Sequence, residues 1–257
     1  MKAIGALLGG ILLTWVACWL PLGLWAGDAT LLLHPVSAPM GLRQLYLVML
    51  YTGLLGTLGF CWKTFPPPLR WSSPHLLKLL GVAWLALGLE RLLLWPWWKP
   101  AWPSTAAWLS ALLVAPLVAL IEEAVFRGYL YGHLKARWGL PRAALGLSLF
   151  FALVHLFRPG DALFKLFYGL GLTLAALVLV LARERTGLLG ATLLHSSWIS
   201  AAILDPPGQV VPGWWSGLRG EPAAGMCSWL FLLGLALWLY RQDPPPAVIS
   251  STSSSPA

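Results

Sequence analysis

Apolar residues run through this chain in long blocks, with neither the two-residue alternation of a half-buried strand nor the single stripe of a helix on a soluble core. Proline, glycine and charged residues divide them into stretches near 4–26, 44–62, 75–97, 104–132, 142–157, 162–182, 187–204 and 222–240. Several hold about 18 or more residues, enough for a helix to cross a hydrocarbon layer about 30 Å thick. The pattern predicts an all-α, polytopic transmembrane bundle of about eight spans. The fifth and seventh stretches are the shortest, and are expected to be little tilted or partly re-entrant.

Composition strengthens that reading. Only 10% of the 257 residues are charged and 58% are hydrophobic, whereas a soluble domain carries about 25% charge. Such a chain has too little polar surface for a water-soluble globule. Tryptophans gather where spans should meet head groups, at Trp95, Trp97 and Trp98 and again at Trp214 and Trp215.

A net charge of +8 in a soluble protein would point to nucleic acid, but here placement matters more than size, and no nucleic acid is expected. With alternating spans, the loops on the side of the N-terminus hold Lys2, Lys63, Arg70, Lys135, Arg137, Arg142, Arg183, Arg185 and Arg241. The opposite side holds only Arg43, Lys99, Arg158 and Arg219. The asymmetry places both termini in the cytoplasm (N-in/C-in), supports an even span count, and predicts a multi-pass protein of the cell (inner) membrane. The first apolar run exceeds a signal-peptide core of about 7–15 residues, so it is expected to stay as an uncleaved helix. Cys18, Cys61 and Cys227 are isolated and read as small apolar residues, not as disulfide or metal partners.

Four regions follow: N-terminal helices over 1–103, a core of four helices over 104–204, a last loop and helix over 205–240, and a proline- and serine-rich tail over 241–257 that is expected to be disordered.

Chemistry is expected where charge lies inside the apolar stretches, because an ionised group at membrane depth costs a few kcal/mol and survives where it is paired or used. Of the acidic residues, Glu90, Glu122 and Glu123 fall there. Within Ile121-Glu122-Glu123-Ala124-Val125-Phe126-Arg127, Glu123 and Arg127 are i,i+4 neighbours on a helix and can pair, while Glu122 points about 100° away and is left free. Two adjacent carboxylates resist both being ionised, which suits the freer one to take a proton from water. The alternative is a structural Glu–Arg clamp between helices.

Two histidines bear on that choice. His155 ends Phe151-Ala152-Leu153-Val154-His155 in the fifth stretch, and His195 lies in Leu193-Leu194-His195-Ser196-Ser197 in the seventh. Glu122 precedes the basic marker Lys135 by 13 residues, His155 follows Arg142 by 13, and His195 follows Arg185 by 10. At 1.5 Å per residue the three lie about 20, 20 and 15 Å from the cytoplasmic face, in one layer where antiparallel helices let them converge. The weaker candidates are Glu90 and Arg91, which read as ion-pairing with other helices, His133, His34 and His75, which read as groups near span ends, and Gly169 and Gly171, which read as close helix packing.

With these residues in place the sequence resembles the CPBP family, the CAAX-protease and bacteriocin-processing group of intramembrane peptidases. The family's paired glutamates followed by arginine match Glu122, Glu123 and Arg127, and its phenylalanine with histidine four on matches Phe151 and His155. Its third motif, histidine with asparagine four on, is met by His195 but not by Ile199. The resemblance covers roughly residues 104–204. It implies a glutamic-type intramembrane endopeptidase in which Glu122 activates water, His155 assists and His195 stabilises the oxyanion.

The Ile199 side chain cannot donate a hydrogen bond, so either Ser196, Ser197 or a backbone amide substitutes for it or oxyanion stabilisation is weak, at a cost of about 3 kcal/mol in barrier. The substrate implied is a membrane-embedded or membrane-tethered protein or peptide, with no cofactor required. A zinc variant would use Glu122, His155 and His195 as ligands with an open fourth position. Readings of other classes are a non-catalytic membrane scaffold or immunity protein, which Ile199 favours, and a small transporter using Glu122 and Glu123 as a proton relay.

Overall fold

A computed structural model describes residues 2–26, 40–67, 75–99, 102–156, 159–205 and 210–242. His34, Arg70, Arg158 and the tail beyond Gln242 lie outside the described residues, as do the side chains of Cys18 and Arg43. The chain is helical: α1 Lys2–Ala26, α2 Met40–Thr64, α3 Leu76–Leu94, α4 Thr105–Leu109, α5 Ala115–Glu123, α6 Tyr131–His155, α7 Ala162–Leu204 and α8 Met226–Arg241. Among the described residues, β structure is limited to two isolated bridges, Trp98 with Val210 and Gly213 with Gly217.

Among the described residues, three helical stretches are long and apolar enough to cross a membrane: Gln44–Thr64, Thr105–His155 and Ala162–Leu204. Met226–Arg241 is a shorter apolar helix, and the part of α1 over Lys2–Thr14 is apolar as well. The 19-residue α3 carries Lys78, Glu90 and Arg91, which lowers its hydropathy. These helices make the chain a membrane protein.

The two longest stretches are divided by glycine. Gly139 (φ 72°) breaks α6 and Gly187 (φ 82°) breaks α7, each in the left-handed region where a side chain is strained. Pro141 follows the first break, where its missing N–H is one the new helix would leave unpaired in any case. The fourth apolar stretch therefore runs past residue 132 as helix as far as Gly139, whereas the break after residue 182 falls at Gly187, where the charged Arg183-Glu184-Arg185 interrupts the apolar pattern.

Between α4 and α6 the backbone widens twice into π turns, at Ser110–Val114 and Ala124–Leu130. Pro116 accounts for the first. In a π turn the Ala111 carbonyl would accept from residue 116, which has no N–H; it accepts instead from the Ser200 hydroxyl of α7 at 2.8 Å. The second π turn begins at the residue after Glu123 and contains Arg127.

Two apolar cores hold the helices together. In one, Leu7 of α1 and Leu58 and Cys61 of α2 pack on Val125, Tyr129 and Leu130 and on Leu147 of α6. In the other, Leu79 and Ala83 of α3 and Leu235 and Leu239 of α8 pack on Leu179, Ala191 and Leu194 of α7. α7 belongs to both, through Val180 in the first core and Leu179 in the second. Burial of Cys61 and Cys227 as free thiols fits their reading as small apolar residues. Gly171 is a true close approach, since a Cβ there would overlap the Ala223 carbonyl; at Gly169 the space is ordinary.

Candidate active site

α5 ends on the paired carboxylates. Glu123 and Arg127 are both fully buried and joined at 2.9 Å between Oε1 and Nη1. Removing either partner would leave a bare charge inside the bundle, which makes such a pair costly to break. The guanidinium also donates to the Ala176 carbonyl of α7 at 3.4 Å and lies 4.4 Å from the centroid of the Phe151 ring, so α5, α6 and α7 are fastened through one side chain.

Glu123 has a second partner. Its Oε1 lies 2.8 Å from His195 Nδ1 on α7. A carboxylate accepts, so the imidazole donates from Nδ1, and Nε2 is left to face Glu122 Oε2 at 3.9 Å. The order in space is Arg127, Glu123, His195, Glu122. This is a buried carboxylate orienting an imidazole toward a second, partly exposed carboxylate. It is more than the Glu–Arg clamp considered from sequence.

Glu122 is not free, as the helix geometry had suggested. The Tyr51 hydroxyl of α2 donates to its Oε1 at 2.8 Å. Sequence reasoning missed Tyr51. No motif surrounds it, and the only available signal was a tyrosine well inside an apolar stretch, away from the interfacial belt where tyrosine is usual.

His155 is placed differently from the other predicted residues. Its Nδ1 is 2.7 Å from the Phe151 carbonyl one turn back. A carbonyl only accepts, so Nδ1 carries the proton and Nε2 is the acceptor of the neutral ring. Contact with the cluster runs through the Phe151 ring, 4.3 Å from the His155 centroid and 6.0 Å from that of His195. Phe151 thus touches His155, His195 and Arg127, a physical reason for phenylalanine one turn before this histidine.

The replacements considered for Ile199 are partly committed elsewhere. Ser197 donates to the Leu193 carbonyl at 2.8 Å and accepts from Trp84 Nε1 at 2.9 Å. Ser196 is buried on α7 beside His195.

Among the described residues no three His, Cys, Asp or Glu side chains are grouped to hold a metal ion. Within the set Glu122, His155 and His195, each imidazole Nδ1 is engaged by a protein oxygen and Oε1 of Glu122 by Tyr51, so Nε2 of each histidine and Oε2 of Glu122 are the atoms left for a metal to use.

The other polar candidates fall outside this cluster. Arg91 pairs with Asp205 at 3.4 Å, as an ion pair to another helix end. Glu90 instead accepts from the Ser228 hydroxyl of α8. His133, read from sequence as a group near a span end, is half-buried, with Nε2 3.3 Å from the Phe65 carbonyl and its ring 4.8 Å from that of Tyr129.

Residues 103–200 match the family described as type II CAAX prenyl endopeptidase Rce1-like. The match spans α4 to most of α7 and contains Glu122, Glu123, Arg127, His155 and His195, while Tyr51 lies outside it. No curated protein and no solved structure matches the chain.

Proposed function

Taking residues 103–200 as an Rce1-like domain in a membrane protein, we propose that this chain is a glutamic-type intramembrane peptidase. It hydrolyses a peptide bond near the end of a membrane-embedded or membrane-tethered substrate. The observation that carries the reading is His195, oriented by the buried Glu123 and facing Glu122 across 3.9 Å. That separation is too long for a direct hydrogen bond, and a single water can bridge it.

In the proposed reaction the water between Glu122 and His195 attacks the substrate carbonyl carbon while Glu122 takes one of its protons. Tyr51 holds Oε1 and so leaves Oε2 directed at the water. The carbonyl oxygen becomes an oxyanion. His195, when protonated, donates to it from Nε2 while Nδ1 donates to Glu123.

The C–N bond then breaks, and the proton held by Glu122 passes to the departing amine. The atoms balance with water alone. His155 assists through its Nε2 acceptor. The aliphatic walls limit access of bulk water, so a base and donor fixed in advance supply most of the rate enhancement.

The topology that accompanies this reading is eight spans in the cell membrane with both termini cytoplasmic, the breaks at Gly139 and Gly187 separating spans four from five and six from seven. Comparing membrane peptide profiles of wild-type and Glu122→Gln cells at equal protein level tests the function. An uncleaved precursor that accumulates in the variant is the expected result, and it would identify the substrate. Identical profiles would mean that the fold serves as a scaffold.

A further inference from the structure

The end of the bundle that the basic asymmetry assigns to the cytoplasm holds a cavity of about 230 Å³ lined by His75, Lys78, Arg185, Thr186, Trp238 and Gln242, with Leu79 and Leu239 as its apolar wall. It lies between the start of α3, the Gly187 break in α7 and the end of α8. None of its described lining residues is acidic, and two carry a fixed positive charge. We propose that this cavity binds the phosphate of an anionic phospholipid, with the lipid's glycerol and acyl chains leaving along the apolar side.

Three separate features support an anion here. Lys78 Nζ donates to Gln242 Oε1 at 3.1 Å and lies 5.7 Å from the centroid of the Trp238 ring. This holds the ammonium at the cavity with one of its three N–H donors used among the described residues. Arg185 donates from Nε to the Leu239 carbonyl and from Nη2 to the Tyr240 carbonyl, each at 2.9 Å. Those bonds cover the negative end of α8 and anchor the guanidinium at the rim. The His75 side chain does not cap α3, and the first helical bond is Leu79 N–H to the His75 carbonyl, so the amides of Leu76, Leu77 and Lys78 have no partner within the helix, the setting in which a helix start favours phosphate.

A lipid rather than free phosphate is favoured by the apolar wall and by Trp238 on the last turn of an apolar helix, the position where an indole meets head groups. The site uses α3, α8 and the break in α7, so it stands independently of the catalytic assignment.

The test uses the full chain purified in non-ionic detergent and followed by its thermal unfolding midpoint as dioleoylphosphatidylglycerol, dioleoylphosphatidylcholine or inorganic phosphate is added. The phosphatidylglycerol is expected to raise the midpoint saturably, and the other two to leave it unchanged at equal concentration. Lys78→Gln is expected to weaken half-saturation about tenfold, the loss of one charge-assisted contact. Lys78→Arg should keep it within about twofold, and Lys63→Gln, an exposed lysine at the same end, should leave it unchanged. An equal shift with phosphatidylcholine or with phosphate alone, no shift with any of the three, or a Lys78→Gln response matching that of Lys63→Gln would overturn the assignment.

Discussion

Glu90 and Glu123 are both carboxylates set in apolar helices, and the protein treats them differently. Glu90 on α3 accepts from the Ser228 hydroxyl, while its neighbour Arg91 turns away to Asp205. Glu123 on α5 has a cation one turn along and an imidazole from α7. A serine hydroxyl ends the contact where it begins. An imidazole has a second nitrogen, and through it the contact passes on to Glu122. Depth in the membrane therefore does not distinguish the two carboxylates; what differs is a second ionisable group beyond the first.

Breaking the relay at its reactive end should give the largest effect. Glu122→Gln is expected to lower cleavage about a thousandfold, within the range for loss of a general base, read as the ratio of precursor to product in isolated membranes. Arg127→Met comes next and acts through stability. It removes the cation from the fully buried Glu123 carboxylate and leaves it the His195 imidazole alone, and about 3 kcal/mol of destabilisation is expected, seen as a lower unfolding midpoint with loss of cleavage.

Glu123→Gln leaves the shape intact but removes the charge that orients His195. A fall in cleavage of about a hundredfold is expected, together with a lowered unfolding midpoint, because Arg127 is left as a fully buried cation without its carboxylate. Tyr51→Phe removes one hydrogen bond to Glu122, and about a tenfold fall is expected. At the other site, Glu90→Gln keeps an acceptor for Ser228 and should leave cleavage within about twofold of wild type.

Much of the candidate site could be read from the chain because charge inside an apolar helix is costly and therefore conspicuous. Glu122, Glu123 and Arg127 announce themselves in that way, and the depth count from the basic loops brings His195 to the layer where it meets them. The pairing of Glu123 with Arg127 follows from helix geometry alone.

Tertiary contacts decide the rest. The Tyr51 hydroxyl reaches Glu122 from a helix whose own pattern says only that it is apolar. The bond from His195 to Glu123 depends on how α7 is rotated against α5, which no local spacing determines. His155, counted into the same layer, instead turns Nδ1 to its own helix and meets the cluster through Phe151. The helix breaks show the same division. Gly187 sits in a charged interruption and is visible, whereas the fourth stretch runs on to Gly139 because packing of Tyr131 and Leu134 in the first core extends helix beyond the apolar run.

The most direct test sets the two intramembrane glutamates against each other in one assay, with Glu122→Gln and Glu90→Gln expressed at equal levels and their membrane peptides compared with wild type. Accumulation of an uncleaved precursor in Glu122→Gln alone is the expected result. Wild-type cleavage in Glu122→Gln would contradict the account, since Glu122 would then not be the group that activates water.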